Sequence, residues 1–367
     1  MTARYVPILK GKQGELRALK ECYGPTMSGM TPLLEVVPWE PDDTDPGQDV
    51  QEVQRTVKKF AEAWPASREP LLVDASDVER EPDIEVQDPA SLEVRIIDGL
   101  RALGTSAEPV VRVSALDTYL DQVAHCVERH ESGAAIRITA EDLDDVVTPL
   151  GDLVERTTSR LGLSAERVDM IMDFGAVPDD GAMAMAARLA RFVLPQLTSQ
   201  PWRTFVLASG AFPANLGEVP PYSIGELPRR DAQLWRSLSS FQLGHGLDFG
   251  DYAVTHPLLP LGAAFAAPPQ LRYTVDDHWL AIKGRRQDRR GHEQFFDICA
   301  EILVRLGAGA AGRDESWGDE YIHDAAAISA GLSDPLRGTG NAATWRAIAT
   351  SHHLAYVVKR LSEGGAP

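Results

Sequence analysis

Cysteine is scarce in this chain. Cys22, Cys126 and Cys299 are the three in 367 residues, and they stand far apart with no metal-ligand spacing. An odd, scattered set excludes a disulfide framework and reads as reduced thiols of a cytoplasmic protein. Positive charge is scarce too: 36 Lys+Arg face 54 Asp+Glu, a net charge of −18. A general duplex binder needs a basic footprint to exchange for counterions, so this balance argues against general nucleic-acid binding. Arg285, Arg286, Arg289 and Arg290 form the one local basic patch in the sequence. No apolar run approaches the roughly 20 residues of a membrane span. The start, Met1 to Pro7, has no signal-peptide apolar stretch. The expectation is a cytoplasmic location and no membrane association. Nucleotide-binding glycine motifs are missing, as are a His-x-His at a strand end and a His-Glu-x-x-His on a helix. No metal and no cofactor is expected.

What the chain does have is rhythm. Eight times a short β-type apolar run stops at a residue that can do chemistry. The runs end at Lys10, Glu35, Asp74, Arg112, Arg137, Asp173 and Ser209, with a weaker last one reaching Asp251 and Tyr252. Roughly 25 to 40 residues of mostly helical character separate them. Strand–helix units at this spacing feed a parallel sheet. Eight of them predict an α/β fold, a (β/α)8 TIM-like barrel, with its chemistry at the C-terminal strand ends.

The alternation fails after about residue 255. Residues 271–275 and 278–284 read as a two-strand hairpin around Asp276-Asp277. Helical segments follow near 292–306, 318–330 and 343–361. The expected organisation is a barrel over 1–265, a C-terminal extension over 266–361 packed on the barrel mouth, and a disordered tail over 362–367. Earlier, 116–130 and 140–162 space their apolar residues as helices do. Asp88 and Pro89 read as the start of the helix after the third strand.

The strand ends offer a site. Glu35, Asp74 and Asp173 are the candidate catalytic acids and bases. Arg112 and Arg137 suit a carboxylate or phosphate, because each guanidinium can donate two parallel hydrogen bonds. Lys10 adds a point charge. Ser209, Asp251 and Tyr252 are further candidate substrate contacts from the last two strands. Lys283, Trp345, Arg346 and His353 are candidates from the extension. His352 and His353 are adjacent, so on a helix they diverge by about 100° and cannot chelate one ion together. The expected ligand is a small anionic molecule. If the Arg137 charge serves that ligand, Arg137→Ala leaves the melting temperature nearly unchanged and abolishes function. Two readings follow: a hydrolytic enzyme on a small phosphate- or carboxylate-bearing molecule, and a non-catalytic ligand-sensing or protein-interaction module, for which a protein partner is expected.

Several blocks of the chain resemble a known family. Tyr5-Val-Pro-Ile-Leu-Lys-Gly-Lys and Pro32-Leu-Leu-Glu-Val are two of them. Phe249-Gly-Asp-Tyr-Ala, Trp317-Gly-Asp-Glu-Tyr-Ile, Gly340-Asn-Ala-Ala-Thr-Trp-Arg and Ser351-His-His-Leu are the others. Together they resemble the beta protein family, whose members occur in phages and bacteria. The resemblance covers essentially the whole chain. It implies no assigned activity and no catalytic residue. For the non-catalytic reading, it implies a setting in phage–host conflict.

Overall fold

The computed structural model describes residues 3–39, 47–65, 69–78, 91–144, 148–239, 246–258, 267–332 and 338–367. Its strands are β1 Tyr5–Lys10, β2 Leu33–Glu35, β3 Leu71–Asp74, β4 Ala107–Arg112, β5 Ala134–Thr139 and β6 Val168–Ala176. They continue with β7 Thr204–Gly210, β8 Gly225–Pro228, β9 Asp248–Asp251, β10 Gln270–Thr274 and β11 His278–Lys283. The helices are α1 Gln13–Lys20, α2 Gly24–Ser28, α3 Gln48–Ala63, α4 Leu92–Ala102, α5 Asp117–His130 and α6 Ala140–Asp144. After these come α7 Leu150–Leu161, α8 Asp180–Leu197, α9 Arg230–Ser239, α10 Gln294–Leu306, α11 Trp317–Ser329 and α12 Ala342–Ser362. No described helix is long and apolar enough to cross a membrane.

Strands β1 to β7 and β9 close a parallel barrel in sequential order, and β9 returns to pair with β1. This is the (β/α)8 architecture that the strand–helix rhythm predicts. Alternation along each strand sends one row inward. Val6, Ile8, Leu33, Leu72, Val110, Ala135, Ile171, Val206 and Ala208 make that row a packed apolar core, with Tyr252 above it. On β9 the inward position is Gly250. A Cβ there would lie 2.8 Å from the Ala208 Cβ and 2.9 Å from Val206 Cγ1, so only glycine fits.

The outer helices follow from their apolar stripes and caps. The stretch 140–162 divides into α6 and α7, with Pro149 at the N-cap of α7. The expected cap at Asp88 and Pro89 lies outside the described residues. Helix α4 starts instead behind Ser91, whose hydroxyl accepts the Val94 N–H at 3.1 Å.

The boundary near residue 265 is corrected in two ways. First, β8 comes from within the barrel's span, yet it pairs with the hairpin in a sheet of order β10-β11-β8. Second, α12 does not cross the mouth. It lies along α1 and β1 in the ring of outer helices, against the outward-facing Tyr5 and Asp251. No other described helix fills this place after β9, so α12 completes the ring. Gly14 permits the close approach: a Cβ there would sit 2.8 Å from the Arg346 Cβ. The hairpin with α10, α11 and the start of α12 buries a core of its own around Phe295, Tyr321 and Trp345. The tail after α12 makes local contacts. Gly365 N–H donates to the Arg360 carbonyl at 2.9 Å, Arg360 Nε donates to Ala366 O at 3.3 Å, and Pro367 is buried.

Candidate active site

Seven of the eight inward rows end, at the C-terminal mouth, on a charged or phenolic side chain; that of β7 ends on Ala208 and Gly210. Seven sequence-predicted residues meet there: Lys10, Glu35, Asp74, Arg112, Arg137, Asp173 and Tyr252. Arg137 is the hub. Its Nη1 donates to Glu35 Oε1 at 2.9 Å and Asp74 Oδ2 at 2.6 Å. Its Nε donates to Asp173 Oδ2 at 3.0 Å, and Nη2 donates to the same oxygen and to Tyr252 Oη at 2.7 Å. The Tyr252 hydroxyl donates to Asp173 as well. Burial works against the Arg137 charge, but Tyr252, Asp173, Asp74 and Glu35 outweigh it and hold the guanidinium well above its ordinary pKa. Burial likewise pushes the Tyr252 phenol well up, with Asp173 and Glu35 adding to it. Asp74 is pushed up by burial, yet Arg137, Arg112 and Ser76 prevail and hold it below the usual carboxylate range.

Pairing loosens toward the opening. Lys10 bonds Glu35 and lies 5.4 Å over the Tyr252 ring. Arg112 is held only at 3.4 Å by Ser76 Oγ and at 3.6 Å by Asp74, and its side chain is 22% exposed, so donors remain for a ligand.

Six predicted site residues lie outside this cluster. Ser209 and Asp251 sit one residue off the inward row and face the helix layer. Asp251 accepts from Tyr5 Oη at 2.7 Å and from His353 Nε2 at 2.8 Å, with Arg229 at 3.7 Å. His353 thus serves the packing of α12 on the barrel. Lys283 donates to the Leu216 and Gly217 carbonyls. Trp345 stacks on Phe295 at 5.7 Å and bonds the Thr339 carbonyl, a core role. Arg346 alone of the extension candidates reaches the rim, donating to Val254 O at 3.3 Å.

The Arg137→Ala expectation also needs correction. The side chain is buried among three carboxylates, so its removal strips a buried charge network and costs stability.

Sequence reasoning missed Glu15, Lys12 and Arg272. Glu15 is buried, and its Oε2 has no hydrogen-bond partner. Burial pushes its carboxyl up to about 7, against the pull of Arg346 and Lys10. An acid in the first turn of a helix reads as a dipole partner, which hid this role. The available signal was position: the first strand–helix loop of a barrel belongs to its mouth.

Away from the mouth, His352 donates from Nδ1 to Asp319 at 2.8 Å and from Nε2 to the Thr274 carbonyl at 2.9 Å. Both ring nitrogens face acceptors, an arrangement that favours the imidazolium. Burial disfavours that charge, but Asp319 and the carbonyl raise the pKa. A cleft of about 600 Å³ runs past His352, Tyr273 and Tyr356. Its cations are neutralised locally: Lys359 by Glu315 at 2.7 Å, Arg360 by Asp276 at 3.1 Å and Arg305 by Glu226 at 2.9 Å. Among the described residues, Asp98, Cys126 and His130 bring potential metal-ligand atoms within 4.8 Å of one another. Arg129 already occupies both Asp98 oxygens, and burial with the Asp98 charge pushes the Cys126 thiol up to about 11. That set is poorly disposed to take a cation.

A model of the beta protein family matches residues 5–359. The chain belongs to the beta protein family. No curated protein matches it. Among solved structures it is similar to triosephosphate isomerase from Bartonella henselae, at 14% identity and TM-score 0.36, over 68% of this chain and 93% of that one. It is also similar to a mutant tryptophan synthase alpha-subunit from Pyrococcus furiosus, at 13% identity and TM-score 0.36, over 69% of this chain and 90% of that one. The barrel assignment for this beta protein family member rests on its closed strand order.

Proposed function

We propose that the chain is a hydrolytic barrel enzyme acting on a small molecule that carries a phosphate or carboxylate group. The observation that carries this reading is Glu15: a buried carboxyl with one unpartnered oxygen, set between the Lys10–Glu35 pair and Arg346. A carboxyl shifted toward neutrality at a charged mouth is what proton transfer requires. Glu35 is the mouth carboxylate open to a water, with a side chain 13% exposed against 3% for Asp74 and 2% for Asp173. In this reading Glu35 takes a proton from the attacking water, whose oxygen bonds the scissile centre. Glu15 gives its proton to the departing oxygen as that bond breaks. Asp74 and Asp173 fix Arg137, which holds Glu35 in place. Arg112 and Lys10 contact the anionic group from the mouth side, and its remaining contacts lie on the rim.

A second reading, a sensor or interaction module without turnover, is favoured by one fact: the donors of Arg137 are saturated by protein acceptors.

Steady-state turnover of p-nitrophenyl phosphate and p-nitrophenyl acetate tests the choice. Glu15→Gln and Glu35→Gln are each expected to lower kcat by about 10²- to 10⁴-fold. A chain that turns over neither ester, yet is stabilised against unfolding by phosphate or acetate, is a binding module.

A further inference from the structure

The seam where α12 and β10 meet the barrel rim collects positive charge without counter-charge. Arg272 is 7% exposed. Its guanidinium donates to the Val254 carbonyl and, at 3.4 Å, to Gln270 Oε1, and it lies 4.4 Å over the Phe212 ring. None of these partners carries a negative charge. Arg346 donates to the same Val254 carbonyl. Among the described residues, no carboxylate lies within ion-pair distance of Arg272, Arg346 or Lys12. Residues 259–266, which follow on the chain, include no charged side chain. Elsewhere the pattern is the opposite: Arg137, Arg203, Arg305 and Arg360 each have a carboxylate within ion-pair distance.

Among the described residues, Glu15 is an acid whose charge acts on all three cations. One carboxyl faces three cations, so an excess of at least two positive charges is left in a partly buried place. Uncompensated charge of that kind is costly unless a counter-charge arrives.

We infer that this seam seats the phosphate group of a phosphomonoester, gripped by Arg272, Arg346 and Lys12; the inference rests on the mouth reading above and names the anionic group it takes. A carboxylate brings one negative charge and two oxygens. A phosphomonoester dianion brings two charges and three terminal oxygens, which two planar guanidinium forks and one ammonium can share. Lys10 bonds Glu35 and its charge also acts on Lys12 and Glu15, so the seated group borders the mouth. The cleft by His352 is the weaker candidate, because each of its cations already has its own carboxylate.

Calorimetric titration of the full chain with inorganic phosphate, and separately with acetate, is the test. Phosphate is expected to bind and acetate to bind at least about tenfold more weakly. Arg346→Gln and Lys12→Met are each expected to weaken phosphate binding by about tenfold or more, the loss of one charged hydrogen bond. Arg272→Lys keeps the buried charge and should retain more affinity than Arg272→Met. Lys12 is exposed, so Lys12→Met carries little risk to folding. Absence of phosphate binding, affinities unchanged in both Arg346→Gln and Lys12→Met, or equal binding of acetate would overturn the inference. Phosphate binding with no turnover of p-nitrophenyl phosphate would sink the hydrolase reading and leave the seat standing. Turnover without Arg346- and Lys12-dependent phosphate binding would do the reverse.

Discussion

The two ends of the barrel each hold an arginine among carboxylates, and they are built to different ends. At the N-terminal end Arg203 bonds Glu108 and Asp169, each at 2.6 Å. The remaining oxygens are taken as well. Gly133 N–H donates to Glu108 at 3.1 Å, and Thr204 Oγ1 donates to Asp169 at 2.8 Å. Nearby Asp248 accepts the N–H groups of Arg4 and Phe205 at 2.7 and 3.1 Å. That cluster is closed. The C-terminal cluster is graded: Arg137 saturated at its base, Arg112 loosely held, then Arg346, Arg272 and Lys12 with no carboxylate within ion-pair distance among the described residues. A closed charge network holds a fold together, whereas a graded one leaves charge to be met from outside. The difference agrees with the general division of barrel ends into a stabilising face and a reactive face.

The largest effect should come at the base of the mouth. Arg137→Ala removes the cation shared by Asp173, Asp74 and Glu35, leaves buried Asp173 with the Tyr252 hydroxyl in its place, and is expected to cost about 3–5 kcal/mol in urea unfolding. A cost below that of Arg203→Ala would break the comparison.

Next is the pH dependence set by Glu15. Its ordinary value is 4.5 and its folded value is raised to about 7. Between these values the folded chain keeps a proton that the unfolded chain has released. The Glu15 contribution is therefore fully favourable below about pH 4.5 and is lost as pH rises to about 7. A shift of this size corresponds to up to roughly 3 kcal/mol. Urea midpoints at pH 4.5 and pH 8 should converge in Glu15→Gln relative to the parent chain, and an unchanged gap would remove Glu15 from the argument.

At the closed end, Arg203→Ala should cost about 1.5–3 kcal/mol, the value of charge-assisted hydrogen bonds. It should leave phosphate affinity as it was, and a calorimetric change there would show that the two ends communicate. Smallest is Lys12→Met, expected to move stability by no more than about 0.5 kcal/mol while weakening phosphate binding.

The barrel was legible because its cause is local. Apolar runs at strand length, spaced by helical segments, impose the closed sheet. The seven mouth residues were legible because each sits on the inward parity of its strand. Ser209 and Asp251 misled because they lie one step off that parity, and Ala208 and Tyr252 hold the inward positions instead. Arg272 and Glu15 were not legible. Their burial depends on where α12 docks, and some ninety residues separate β9 from α12. No local pattern encodes that distance. His352 and His353 diverge as the helix geometry requires, but only the docked helix shows that one turns to Asp319 and the other to Asp251.

The position of α12 also bears on the order of events during synthesis. All eleven described strands precede Ala342. Strand β8 emerges fifty residues ahead of its partner, from Pro228 to His278, and waits as an unpaired edge. Phe249 on the outer face of β9 is met by Trp235 of α9, but Tyr5 and Asp251 lack their His353 partner until the last helix arrives. Domains usually fold from the N-terminus as they are made. Here the first strand and the last helix must meet, so a chain stalled before Ala342 holds every described strand and lacks the helix that completes the outer ring.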